Sequence, residues 1–278
     1  METVWKRLLP LVFIALLVFL GVTTAFVWNG VERSQQELEQ LMQERKQQRA
    51  NVLITAADEG GTLLAAMVVS ADPKRHSTDI ISLPTDTLVD VAGSSQPLSA
   101  VPAIGGMDML LEKLPEILPL PISNYLAFTP DTLAQAVDAA GGVELELPYA
   151  VSMRQPAVHL PRGVQVIGGA EMAALFSYAG QGAERQRALQ QAAIQAFLEK
   201  TVPQDVSRLQ MLLTDIFAQT ATDFSSYETA NYAAAFAGIE TTAIGKHTLP
   251  GNLQTVSGQR YFVYDTAAVN AFVNTILQ

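Results

Sequence analysis

The chain contains no cysteine. That absence fits an exported or an intracellular setting, because disulfides serve mostly small exported domains that cannot bury enough core, and a domain of this length can. Histidine is scarce as well. His76, His159 and His247 lie far apart, none has a partner at His-x-x-x-His spacing, and a histidine-built zinc site is not expected. No Gly-x-Ser-x-Gly elbow, Walker loop or dinucleotide fingerprint occurs, which leaves the common hydrolase and nucleotide-binding readings without their best support. Basic charge is in deficit, with 17 Lys and Arg against 27 Asp and Glu for a net charge of −10. Nucleic acid is therefore not expected as a partner, although a local basic pocket is still compatible with this balance.

What the chain does have, first, is an uncharged stretch. Between Arg7 and Glu32, residues Leu8 to Trp28 are interrupted only by Pro10, Gly21, Thr23 and Thr24. At about 1.5 Å per residue this run reaches roughly 30 Å, the thickness of a bilayer's hydrocarbon layer. A cleaved secretory signal is the rival, but the run exceeds the usual apolar core and no Ala-x-Ala site follows it. Lys6, Arg7 and the α-amino group precede the run, and Arg33 alone closely follows it. This order predicts a cytoplasmic segment 1–7, a transmembrane helix 8–28 and an extracytoplasmic C-terminal part, a single-pass type II arrangement in the cell membrane. Counting on to Arg45 and Lys46 removes the asymmetry, though long domains translocate largely regardless of charge. Residues 29–50 read as a helical stalk. Ser34–Arg49 is rich in Gln, Glu, Arg and Lys with Leu38, Leu41 and Met42 as its few apolar positions, a pattern shared by a solvated helix and a short coiled coil.

From 51 to 278 short apolar runs and helical periods alternate. Asn51–Ala56, Leu63–Ser70 and Asp79–Leu83 predict strands, the second apolar enough to be buried on both faces. Thr129 as N-cap, Pro130 in the first turn and Gly141-Gly142 at the end frame a helix that turns Leu133, Ala136 and Val137 to one side. Val143–Leu147 alternates like a half-exposed strand. Helices are expected over Ala170–Ala179, Glu184–Lys200, Val206–Gln219, Tyr227–Ala237 and Asp265–Leu277, and a strand over Thr241–Leu249. No repeat or low-complexity linker interrupts the series, which reads as one α/β domain with a helix-covered sheet.

Three residues in this frame suggest chemistry. Asp58 closes the first strand and Asp86 follows the third, both at carboxyl ends where open α/β sheets place ligands, although aspartate is equally ordinary turn material. Arg185 shares a helix face with Leu189, Ala193 and Ala196, so a guanidinium extends an apolar stripe and needs an anion or several acceptors. It also sits at a helix start, whose free N–H groups welcome an anion; an internal salt bridge would satisfy it too. Arg187 falls on another face and is expected to be solvated.

Six segments in order resemble the LytR-CpsA-Psr cell-envelope family over nearly the whole part after the anchor. They are Asn51–Asp58; Met67–Lys74; Ser82–Thr87, similar to Ser-Ile-Pro-Arg-Asp-Thr; Asp138–Pro148, similar to Asp-x-x-Gly-Gly-Val; Glu184-Arg185-Gln186; and Thr248–Val263. The resemblance implies a type II anchor and an exported α/β/α domain with a central mixed sheet, holding a polyprenyl diphosphate in an apolar cavity. It implies transfer of a glycopolymer from a polyprenyl-diphosphate-linked glycan to peptidoglycan. By that resemblance Asp58, Asp86 and Arg185 are the catalytic set, Arg185 and Gln186 bind the ligand, and Asp58 and Asp86 hold Mg2+.

This chain departs from the family at charged positions. Leu64 stands where a magnesium-associated aspartate is usual, Thr85 replaces the arginine before Asp86, Ser177-Tyr178-Ala179 replaces Arg-Tyr-Arg, and Gly182 replaces a further arginine. One arginine can be worth on the order of 10³–10⁵ in the rate of phosphoryl transfer, so the expectation is a protein that binds the lipid-linked glycan with weakened or lost catalysis. The alternative is a non-catalytic scaffold or regulatory partner in wall assembly. Arg154 and Arg162, in the segment after the Gly-Gly-Val motif, are the candidates to replace the lost charge.

Overall fold

The computed structural model describes residues 49–122, 124–154, 157–178, 182–202, 205–236 and 239–277. The chain divides into two units, Met1–Gln47 and Gln48–Gln278, and the described residues all belong to the second. The expected transmembrane helix 8–28, and the stalk up to residue 48, lie outside them. Among the described residues no helix is long and apolar enough to cross a membrane.

β-branched and small apolar residues build the centre. Strand β1 (Ala50–Ala57) runs antiparallel to β2 (Leu63–Asp72), which runs antiparallel to β3 (Ser77–Leu83). A hairpin, β4 (Leu88–Val91) and β5 (Ser94–Pro97), leads to helix α1 (Val101–Ile117). Strand β6 (Asn124–Phe128) then lies parallel to β1. Helix α2 (Pro130–Ala139) follows, then β7 (Val143–Leu147), the small hairpin β8 (Val151–Met153) with β9 (Val158–Leu160), and β10 (Gly163–Ile167), which pairs antiparallel with β7. Helices α3 (Gly169–Ser177), α4 (Ala183–Thr201) and α5 (Val206–Phe217) come next, followed by β11 (Ala221–Thr222) and α6 (Ser226–Phe236). The chain continues through β12 (Ile244–Thr248), hairpin β13 (Gly251–Val256) and β14 (Gln259–Tyr264), and α7 (Thr266–Leu277).

The main sheet has the order β11-β6-β1-β2-β3-β12 and is mixed, with parallel β6/β1 and β3/β12 pairs. Period-two alternation divides its residues between two cores. Val52, Ile54, Met67 and Val69 meet α2 to α6 on one face, while Leu53, Ala66, Val68 and Ile81 meet α1 and α7 on the other. The architecture is α/β/α. Central β2 is buried from Leu63 to Ala71 except at Leu64, which is only partly buried, as its unbroken apolar run predicts.

Helix α2 shows how local sequence fixes position. The Thr132 N–H donates to Thr129 Oγ1 at 3.2 Å, and the Thr129 N–H donates to Thr132 Oγ1 at 2.9 Å, a reciprocal cap. At its other end Gly141 and Gly142 take φ of 79° and 81°, and the Gly142 N–H returns to the Val137 carbonyl at 2.9 Å, closing the helix with left-handed glycine. The Asp138 carboxylate accepts from the Gly169 N–H at 2.7 Å, so the first aspartate of the Gly-Gly-Val segment secures the start of α3. A Cβ on Gly169 would lie 2.3 Å from the Ala134 carbonyl oxygen. Gly169→Ala should therefore cost about 1–3 kcal/mol through overpacking, read as a lower urea midpoint with an unchanged slope; a shift below about 0.5 kcal/mol would mean the helices can separate freely.

One expectation needed adjustment. Thr241–Ala243 is a short 3₁₀ turn and the strand begins only at Ile244. Helix α1 carries non-helical Gly105 and Gly106, the latter at φ 74°, a break that its apolar period does not announce.

Candidate functional site

The carboxyl ends of β1 and β3 and the start of α4 meet at one end of the sheet. Asp58 is exposed in the β1–β2 turn. Its carboxylate accepts from the Thr62 N–H at 2.8 Å and its own N–H donates to the Thr62 carbonyl at 3.0 Å. This side chain shapes the turn while keeping a face to solvent. Leu64, nearby on β2, is half-buried against the helix-covered core.

Asp86 lies in the turn after β3, where the Thr87 hydroxyl donates to the Pro84 carbonyl at 2.6 Å. From β14 the Phe262 N–H donates to the Asp86 carbonyl at 3.0 Å, and the Ser99 N–H donates to the Thr85 carbonyl at 2.7 Å. The backbone is thus pinned on both sides. Thr85 is buried with no hydrogen-bond partner for its hydroxyl among the described residues. The Asp86 carboxylate meets Arg187, with Nη2 to Oδ2 at 2.8 Å.

That pairing corrects the expectation that Arg187 is merely solvated. Two residues along a helix is about 200° of rotation, which places Arg187 opposite the Arg185 stripe. Because α4 begins over the carboxyl ends of the strands, that other side meets the turn after β3. The stripe itself is as expected below its first member: Leu189 and Ala193 are buried, while Arg185 is exposed. The Arg185 carbonyl accepts from the Tyr149 hydroxyl at 3.1 Å. Burial pushes the Tyr149 pKa above its usual value, Tyr178 adds to the rise, and the Arg185 guanidinium opposes it, so the phenol stays protonated and a donor at neutral pH. Gln186 is half-buried, and Gln190 is buried with its amide donating to the Phe176 carbonyl at 2.8 Å. Gly182, at φ 85°, precedes α4 without a side-chain cap. Arg154 and Arg162 are both exposed.

About ten residues further along α4, roughly 15 Å at 1.5 Å per residue, Phe197 and Leu198 line an apolar cavity of about 70 Å³ between the sheet and helices α5 and α6. Val52 and Ile54 form its floor, and Ile216, Phe217 and Phe236 are among its walls. Phe217 stacks on Phe224 with centroids 4.7 Å apart, and Phe224 meets Tyr232 edge-on at 4.7 Å. The Tyr232 hydroxyl escapes the apolar wall by donating to Asn124 Oδ1 at 2.8 Å.

A shared metal finds little to hold it. No three acidic or histidine side chains gather into a possible metal site among the described residues. Asp58 and Asp86 follow strands separated by β2, two spacings or about 10 Å apart, and each carboxylate already has a protein donor. Sequence reasoning missed Arg187 and Tyr149. The only available signals were Arg187's place two residues beyond Arg185 and Tyr149's place directly after Pro148, and neither specifies which side of α4 meets which turn.

The family model for LytR_cpsA_psr matches residues 21–277. The chain belongs to the LytR_cpsA_psr family. It is similar to TagU of Halalkalibacterium halodurans at 32% identity over 100 residues, and to TagV of Bacillus subtilis at 23% over 165, both named polyisoprenyl-teichoic acid--peptidoglycan teichoic acid transferases. Those alignments cover 35% and 52% of this chain and 32% and 42% of the relatives, so the chain matches less than half of each. In three dimensions it resembles the crystal structure of Bacillus subtilis TagV with a TM-score of 0.71 at 18% identity, covering 83% of this chain and 96% of that one. It also resembles TagT bound to LI-WTA, with a TM-score of 0.66 at 15% identity over 84% and 90% of the two chains. These likenesses establish a shared LytR_cpsA_psr fold.

Proposed function

We propose that this LytR_cpsA_psr protein is a membrane-anchored envelope component that binds a polyprenyl-diphosphate-linked glycan, with transfer to peptidoglycan weakened or lost. The observation that carries this reading is α4, which has two arginines at its start and an apolar cavity beside its far end. A diphosphate suits a helix start flanked by guanidinium groups, and a hydrocarbon tail suits the cavity. The present void of about 70 Å³ is far below the 300–1,000 Å³ of ordinary ligand pockets, so α5 and α6 must move outward to admit a tail. Residues 8–28 would anchor the chain, with 51–278 on the extracytoplasmic side. The names of the TagU and TagV relatives point to the same class of carrier and acceptor.

Weak chemistry follows from Leu64 and Thr85. Attack of an acceptor hydroxyl on phosphorus forms one P–O bond, breaks the bond to the leaving polyprenyl phosphate and passes the hydroxyl proton to a base or to that leaving group, and the transition state relies on nearby positive charge. Both departures remove charged groups at the end of the sheet where the diphosphate would sit. The same two residues favour a second reading, a scaffold that retains the fold without turnover.

The test is calorimetric binding of a polyprenyl diphosphate to the full chain in detergent micelles, with Arg185→Ala alongside. The expected result is binding that weakens about tenfold or more in the variant, in line with loss of a charge-assisted contact. Equal affinity in both proteins would remove Arg185 from the site. Added peptidoglycan and glycan-loaded carrier then separate the two readings, because a scaffold gives no product.

A further inference from the structure

We propose that Arg187, oriented by Asp86, serves this site in place of a divalent cation, so that the diphosphate is bound without metal. The inference rests on the proposed function above and deepens it. Arg187 contacts Asp86 through Nη2 at 2.8 Å, and its side chain stays 35% exposed against 17% for Asp86. A guanidinium has five N–H donors in a rigid fork. One edge facing the carboxylate leaves others for an anion arriving beside the start of α4.

A carboxylate beside a diphosphate must be neutralised, or it repels the ligand. A metal ion could do this, but it would compete with Arg187 for the carboxylate and need further donors that the described residues do not gather. Asp58 is engaged with the Thr62 N–H in its own turn, and Leu64 offers no oxygen. Arg187 neutralises Asp86 directly. Asp86, held through its carbonyl by the Phe262 N–H at 3.0 Å, fixes the guanidinium so that less rotamer freedom is lost on binding. Arg187 is thus a binding residue and Asp86 its positioning residue.

The experiment measures binding of farnesyl diphosphate to the full chain in micelles, with EDTA or with excess magnesium chloride. The proteins are the parent chain, Arg187→Gln, and the double variant Asp86→Asn with Arg187→Gln, which removes both charges. The parent should bind alike in both conditions. Arg187→Gln, which leaves a bare carboxylate, should bind roughly tenfold or more weakly, and the added Asp86→Asn should restore part of the loss. A second readout is the manganese EPR signal, which the parent chain should leave unchanged. Binding that requires magnesium, manganese uptake by the parent, or a double variant no better than the single one would overturn the inference while leaving the lipid-carrier reading intact. Absence of farnesyl diphosphate binding in both conditions would overturn both.

Discussion

Phe197→Ala should destabilise the domain by about 3–5 kcal/mol, the range for truncating a large buried aromatic. Phe197 is 2% exposed and meets Phe128 edge-on, with ring centroids 6.0 Å apart and planes at 84°. That geometry adds to area burial. The ring also stands beside an existing void of about 70 Å³, so its removal enlarges a cavity. Domains of this kind have only about 5–15 kcal/mol of stability in all, and the variant should lose a large share of it in urea unfolding. Because the change widens the cavity, lipid affinity should hold while stability falls. A loss below about 1 kcal/mol would show that α4 can collapse onto the sheet when the ring is removed.

Ile216→Trp should have the opposite signature. Ile216 is 5% exposed on α5 and faces the cavity, so an indole there takes the space proposed for the tail. Overpacking itself should cost about 1–3 kcal/mol of stability. Excluding even five methylene groups forfeits about 4 kcal/mol at roughly 0.8 kcal/mol each, close to a thousandfold in affinity. Calorimetry should show farnesyl diphosphate binding nearly abolished and inorganic pyrophosphate binding retained. Equal loss of both ligands would mean the substitution acts on the whole domain, and retention of both would place the tail elsewhere.

Features written in consecutive residues were legible in the sequence. Thr129, Pro130 and the Gly141-Gly142 pair mark both ends of α2 because caps are local hydrogen-bond chemistry. Val143–Leu147 alternates buried and exposed residues as its period of two requires. Features assembled from distant residues were not. The cavity combines Val52, Phe197, Ile216 and Phe236 from four separate elements, and nothing in any one segment specifies a void. The Asp86–Arg187 pair spans 101 residues and depends on how α4 is rotated over the sheet. The β8–β9 hairpin escaped notice because strands of three residues carry too little pattern. Asp58 was legible as the end of a strand, but only the structure reveals its carboxylate at work inside the turn.

The most direct test of the central claim is photolabelling of the full chain in micelles with a polyprenyl diphosphate bearing a diazirine on its tail, followed by peptide mapping. Labels on the cavity walls, at Leu213, Phe217 and Phe236, with little on the α1 and α7 side of the sheet, are the expected result. Labels on α1 or α7, or labelling unchanged by Ile216→Trp, would contradict it.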